Sequence, residues 1–104
     1  MNEFFRQDNR LGIPIPHLSQ SWEDYSVENQ QAILFNWEKI RGKIPDRIAE
    51  LEKIINQKQA ALSDEGNFER SCQLNSEIAE LASIINDLWL WYRTHQDIGS
   101  KVHQ

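Results

Sequence analysis

Apolar residues in the second half of the chain recur at helical spacing. They alternate in steps of three and four along one seam: Leu74, Ile78, Leu81, Ile85, Leu88, Tyr92 and His95. This heptad pattern predicts a helix that begins after Asn67, a good N-cap, and ends near Asp97, before Gly99. No stretch alternates with period two for long enough to predict a strand. The sequence therefore predicts an all-α fold.

A second helical pattern fills the middle of the chain and contains one defect. Ser21 or Ser26 can cap its start, and its apolar positions run on to Leu62 through Ile33, Trp37, Ile40, Ile44, Ile48, Leu51 and Ile55. The step from Ile44 to Ile48 breaks the heptad spacing and coincides with Gly42 and Pro45. Since proline has no N–H to donate, the helix is expected to kink or restart there.

The composition of residues 63–67 indicates a loop, at which the chain folds back on itself. Folding back brings Leu51 near Ile78 and Trp37 near Tyr92. The second helix is too long to be covered by residues 45–63 alone, so the segment before Pro45 is needed at the aromatic end. This favours a long antiparallel helical hairpin whose first arm is kinked near Gly42–Pro45. A three-helix bundle with a true turn there is the alternative.

Residues 1–20 differ from the rest of the chain, which we interpret as a single helical domain over 21–104. Gly12, Pro14 and Pro16 all fall in this first segment, and each proline pushes the residue before it towards extended geometry. The segment is predicted to be an extended N-terminal arm. Its apolar residues could lie on a groove of a partner: Leu11, Ile13, Ile15 and Leu18.

Apolar side chains occupy more than one side of both helical arms. A lone helical hairpin of this size buries little core, and helices that are apolar on several sides are buried on several sides. The pattern therefore predicts a homodimer, a four-helix bundle, with these interface residues: Trp37, Ile84, Leu90, Trp91 and Tyr92. Trp91 is expected to face the second subunit, and Trp89 to pack within the hairpin or beneath the arm. Packing against the N-terminal arm is the alternative explanation.

Charge, hydropathy and cysteine content indicate which partners and which cellular compartment to expect. The 104 residues carry a formal net charge of −5, which makes non-specific electrostatic binding to nucleic acid unfavourable. No apolar run is long enough to span a membrane, and the first residues do not resemble a secretion signal. The single cysteine, Cys72, permits no internal disulfide. A cytoplasmic protein is expected.

Four carboxylates could meet between the helices. Glu77, Glu80 and Asp87 share a flank of the last helix, with Glu50 level with Glu80 across the hairpin. Facing carboxylates can hold Mg²⁺, as in some all-α nucleotide pyrophosphatases. Those enzymes carry two paired acidic motifs, whereas only one Glu-x-x-Glu occurs here, so a solvated acidic face is the main interpretation. No metal or cofactor is predicted, and a metal-dependent enzyme is kept as the alternative function.

One stretch resembles a known helical hairpin. Over residues 51–81 the chain has Leu51-Glu52, then Phe68-Glu69, Ser71-Cys72, Leu74, Ile78 and Leu81. This resembles the UVR hairpin of excision-repair proteins and some Clp-type chaperone proteins, although Asn75-Ser76 stands where the family has Arg-Asp. The resemblance implies a module that pairs with a like hairpin on a partner protein.

These patterns together favour binding over catalysis. We expect a small non-enzymatic helical protein–protein interaction or regulatory module that self-associates and binds another protein, whose identity the sequence does not give.

Overall fold

The protein is mostly helical, with one small antiparallel sheet at its N-terminal end. The computed structural model describes residues 3–94 and residue 98. Strands β1 (Phe5–Asp8) and β2 (Ile13–Pro16) are followed by a 3₁₀ turn (Trp22–Asp24) and three helices. The helices are α1 (Val27–Arg41), α2 (Ile44–Ser63) and α3 (Phe68–Tyr92).

Helices α1 and α2 form one long bent arm. Gly42 and Lys43 both keep right-handed helical backbone angles, so the chain does not reverse between them. The amide of Lys43 donates to the Ile40 carbonyl oxygen over 3.0 Å, a local tightening to 3₁₀ geometry. The 15 and 20 residues of the two helices would together span roughly 52 Å, close to the 59 Å long axis of the molecule. The kinked first arm is therefore confirmed.

Pro45 lies next to the bend but does not cause it. It lies in the first turn of α2, where the missing N–H would have had no helical partner. The fixed φ of proline suits this position, and the bend instead follows from the tightened turn at Gly42 and Lys43.

We therefore predict that Pro45→Ala changes the free energy of unfolding by less than about 1 kcal/mol. Any change should be a small loss, because alanine gives the unfolded chain more freedom. Urea denaturation followed by circular dichroism measures this directly. A gain of about 3 kcal/mol would instead mark Pro45 as an interior helix breaker.

Helices α2 and α3 pack antiparallel along the predicted seam. Ser26 caps α1 by accepting from the Asn29 amide over 3.1 Å, and Asn67 caps α3 by accepting from the Arg70 amide over 2.9 Å. Both caps satisfy helix donors that would otherwise lack partners. A salt bridge of 2.9 Å between Lys58 Nζ and Glu77 Oε1 joins the two helices.

Helix α3 ends at Tyr92, earlier than the predicted end near Asp97. Two side chains from the end of α1 bind the last carbonyl oxygens there. Arg41 Nη1 donates to the Tyr92 carbonyl over 2.9 Å, and the Trp37 indole donates to the Thr94 carbonyl over 2.6 Å. These tertiary contacts satisfy carbonyl groups that a longer helix would have used itself. His95 and Asp97 lie outside the described residues.

The N-terminal arm is a β-hairpin, which corrects both the all-α class and the extended arm. Phe5 pairs with Pro16 and Asp8 with Ile13, and the His17 amide donates to the Phe4 carbonyl over 2.8 Å in the same register. Because hydrogen-bonded pairs alternate along an antiparallel ladder, both prolines of β2 occupy the positions that need no donor. The four-residue strands are too short to show a period-two pattern in the sequence.

The turn of this hairpin depends on Gly12. Its φ is +78°, and a Cβ built on it would lie 2.6 Å from Nε of Arg47. Arg47 Nε donates to the Leu11 carbonyl over 3.0 Å, which ties the turn to α2. The Asp8 side chain also accepts from the Leu11 amide over 2.8 Å. Only glycine combines this backbone angle with so close an approach.

Gly12→Ala should destabilise the protein by about 1–3 kcal/mol, from left-handed strain and displacement of the Arg47 guanidinium. Gly66→Ala is the matched control, because no atom lies within 4 Å of a Cβ built there. It should be neutral or slightly stabilising. Equal effects of the two substitutions in thermal unfolding would contradict the described turn.

Candidate interaction surfaces

The structure places most of the predicted interface residues inside a single chain. Trp37 is 0% exposed and Ile84 is 7% exposed, and both belong to the hydrophobic core. Trp91 and Tyr92 are half-buried, and Leu90 is exposed on the side of α3 away from the seam. Thus neither Trp37 nor Ile84 lies on a surface that a second copy can reach.

The N-terminal β-hairpin buries the flank of α3 on which Ile84 lies. Arg10, in its turn, donates to three side chains spaced along α3: Glu80 over 3.2 Å, Ser83 over 2.8 Å and Asp87 over 2.7 Å. These three surround Ile84 on the helix surface. The bonds to Asp87 and then Glu80 raise the pKa of Arg10. The hairpin therefore covers the flank of α3 that the sequence assigned to a second subunit.

Trp89 and Trp91 lie the opposite way to the prediction, which placed Trp89 inside the chain and Trp91 on its surface. Trp91 packs edge to face on Trp37 with the ring centroids 5.5 Å apart, inside the chain. Trp89 remains 37% exposed and rests edge to face on Tyr92. The Arg41 guanidinium lies 4.8 Å from the centre of the Tyr92 ring, a cation–π contact. Trp89, rather than Trp91, is the tryptophan of α3 left on the surface.

The predicted partner-binding arm also packs on its own chain. Leu11 and Ile13 are buried in the core cluster, and Ile15 and Leu18 are half-buried against it. The apolar residues of the arm thus fill the groove between the helices of the same molecule.

The four carboxylates of the alternative metal site are each paired with a cation. Glu80 and Asp87 bind Arg10, Glu50 binds Arg47 over 3.2 Å, and Glu77 binds Lys58. Within the residues that the structure describes, no group of three or more His, Cys, Asp or Glu side chains could hold a metal ion. The arrangement is therefore an ion-pair network that joins α3 to α2 and to the β-hairpin.

Among the described residues, a shallow groove lies on each side of the α2–α3 pair. The groove on the side of the β-hairpin, which we call the charged face, is lined by Ile54, Lys58, Ser76, Glu77, Glu80 and Leu81. The groove on the opposite side, which we call the amide face, has a volume of about 530 Å³ and is lined by Glu52, Ile55, Asn56, Gln59, Ala82 and Ile85. Only one of the six residues lining the amide face is charged.

Sequence reasoning missed the amide face because it assigned Ile55, Ile78 and Ile85 to a closed seam. The structure leaves all three only half-buried. The length of the helical hairpin could have indicated this, since no helix besides α1, α2 and α3 is present within residues 3–94 to cover that side of α2 and α3.

Comparisons with known proteins give no relative. No protein-family model matches the chain, and neither the characterised proteins nor the solved structures include a significant match. The similarity of residues 51–81 to the UVR hairpin thus remains a similarity of pattern. None of the helices in the described part of the chain has both the length and the apolar character needed to cross a membrane.

The Lys58–Glu77 contact gives a prediction for pH. The Lys58 ammonium lowers the pKa of Glu77 below its ordinary value of 4.5. A lowered folded pKa means that the ionised carboxylate stabilises the fold fully above about pH 4.5 and loses this effect as the pH falls through the folded pKa. The stability of the wild type relative to Glu77→Gln should therefore shrink when the pH drops below about 4.5.

Thermal unfolding of both proteins between pH 7 and pH 3 checks this expectation. Glu3→Gln, which removes the same charge at an exposed position outside the helices, is the control. A wild-type advantage that stayed constant over this range would contradict the role of the ion pair.

Proposed function

We propose that this protein is a small non-enzymatic interaction module that self-associates as a homodimer in the cytoplasm and acts by binding other proteins. The observation that carries the proposal is the incomplete covering of the α2–α3 pair. Leu51, Leu74 and Leu88 are buried between the two helices, whereas Ile78 and Ile85 are only half-buried. Two helices alone cannot bury the apolar sides that both of them present.

Exposed aromatic side chains support the same function. Phe35 is 62% exposed, with Lys39 Nζ 4.4 Å from its ring centre, and Phe68 is 81% exposed at the first position of α3. Large exposed apolar side chains at several separate places are typical of surfaces that meet other proteins. The pairing of every candidate metal-binding carboxylate with a cation favours this function over the enzymatic alternative.

Cys72 is compatible with the proposed compartment. It is exposed and free, and an exposed thiol persists in a reducing environment.

We expect the purified protein to have the mass of a dimer at micromolar concentration. The dimer should persist in high salt, since an apolar interface is not screened by ions. Light scattering on a size-exclusion column, over a hundredfold range of concentration, measures this mass. A monomer mass throughout that range would refute self-association.

A further inference from the structure

We propose that the second copy binds the amide face, so that the two α2–α3 pairs form a four-helix bundle around Ile55, Ala82 and Ile85. This inference rests on the proposed self-association and adds which surface carries it. The β-hairpin occupies the opposite side of α3 through Arg10. In the part of the chain that the structure describes, the amide face is therefore a long side of the helix pair that the β-hairpin leaves open.

The two sides of the helix pair differ in charge. The charged face has three ionic side chains in its groove, Lys58, Glu77 and Glu80. The amide face has only Glu52, beside the neutral amides of Asn56 and Gln59. Depletion of charge at the centre is the compositional feature that distinguishes protein interfaces from the remaining surface.

An apolar ridge runs along the α3 side of the amide face. Ile78, Ala82, Ile85 and Trp89 follow one another in steps of four, three and four, which places them on one stripe of the helix. Trp89 lies at the end of this ridge and is 37% exposed. The small Ala82 between larger residues leaves a depression into which a side chain of the facing helix fits.

The dimensions of the face suit a stable dimer. The 20 residues of α2 span about 30 Å, and two adjacent helices are about 20 Å wide. Contact over this whole side of the helix pair, with the amide face at its centre, would bury roughly 600 Å² on each copy, or about 1,200 Å² in all, above the roughly 1,000 Å² expected of a specific interface.

A second copy fits this face better than a different partner. A two-fold dimer brings the same surface of both molecules together, so the groups of that one surface must be able to bind one another. Primary amides can do so, because Asn56 and Gln59 each both donate and accept hydrogen bonds. Two chains of net charge −5 repel each other, and this repulsion is smallest across a face with few charges.

Ala82→Glu and Ser76→Glu test the proposal as a matched pair. Both sites are exposed on α3, and glutamate suits a helix, so the monomer fold should survive in each variant. Ala82 lines the amide face and Ser76 lines the charged face. Ala82→Glu should raise the dimer dissociation constant at least tenfold, because it buries an unpaired carboxylate, whereas Ser76→Glu should change it less than threefold.

Sedimentation equilibrium gives the dissociation constants, and circular dichroism verifies the helix content of each variant. If the wild type dimerises and Ala82→Glu dimerises equally well, the amide face is not the interface, although self-association stands. A dissociation caused by Ser76→Glu alone would assign the interface to the charged face. A monomeric wild type would overturn the proposed function itself, and the inference with it.

Discussion

The architecture depends on the contact between the end of α1 and the end of α3. Trp37 is fully buried, donates its indole N–H to the Thr94 carbonyl over 2.6 Å and packs edge to face on Trp91. One turn later, Arg41 donates to the Tyr92 carbonyl, where its charge also suits the negative end of the helix dipole. These two bonds satisfy the Tyr92 and Thr94 carbonyl groups at the end of α3 and hold the last turn of α1 against it.

This contact also explains why a bent arm is required. Helix α3 has 25 residues and α2 has 20, so the C-terminal end of α3 extends beyond the start of α2. The extension is covered only if the chain before α2 continues in nearly the same direction. A tightened turn at Gly42 and Lys43 allows this, because it bends the arm without reversing it.

The helical part of the fold could be predicted from the sequence because its signals are local. Caps at Ser26 and Asn67, the loop between α2 and α3, and the seam through Leu51 and Leu74 all act within a few residues of the positions that reveal them. The β-hairpin could not be predicted in this way. Its strands are four residues long, and the prolines of β2 mimic an extended coil in the sequence.

The surface chemistry was harder to predict because it depends on long-range contacts. Arg10 binds a helix about seventy residues further along the chain, and nothing in the spacing of Glu80 and Asp87 reveals this partner. A second long-range contact distinguishes the two tryptophans of α3. Trp91 packs on Trp37 of α1 and is half-buried, whereas Trp89 remains 37% exposed.

The β-hairpin thus takes the place of a third helix on one side of α3 only. It is anchored there by buried apolar residues such as Leu11 and Ile13, and by the charges around Arg10, which are too polar to form the centre of an interface. Within residues 3–94, no such element covers the opposite side, whose groove is lined by one charged residue, Glu52, together with Ile55 and Ile85. The two sides of the helix pair therefore differ in kind, since one is closed by the hairpin of the same chain and the other presents a groove with a single charged side chain.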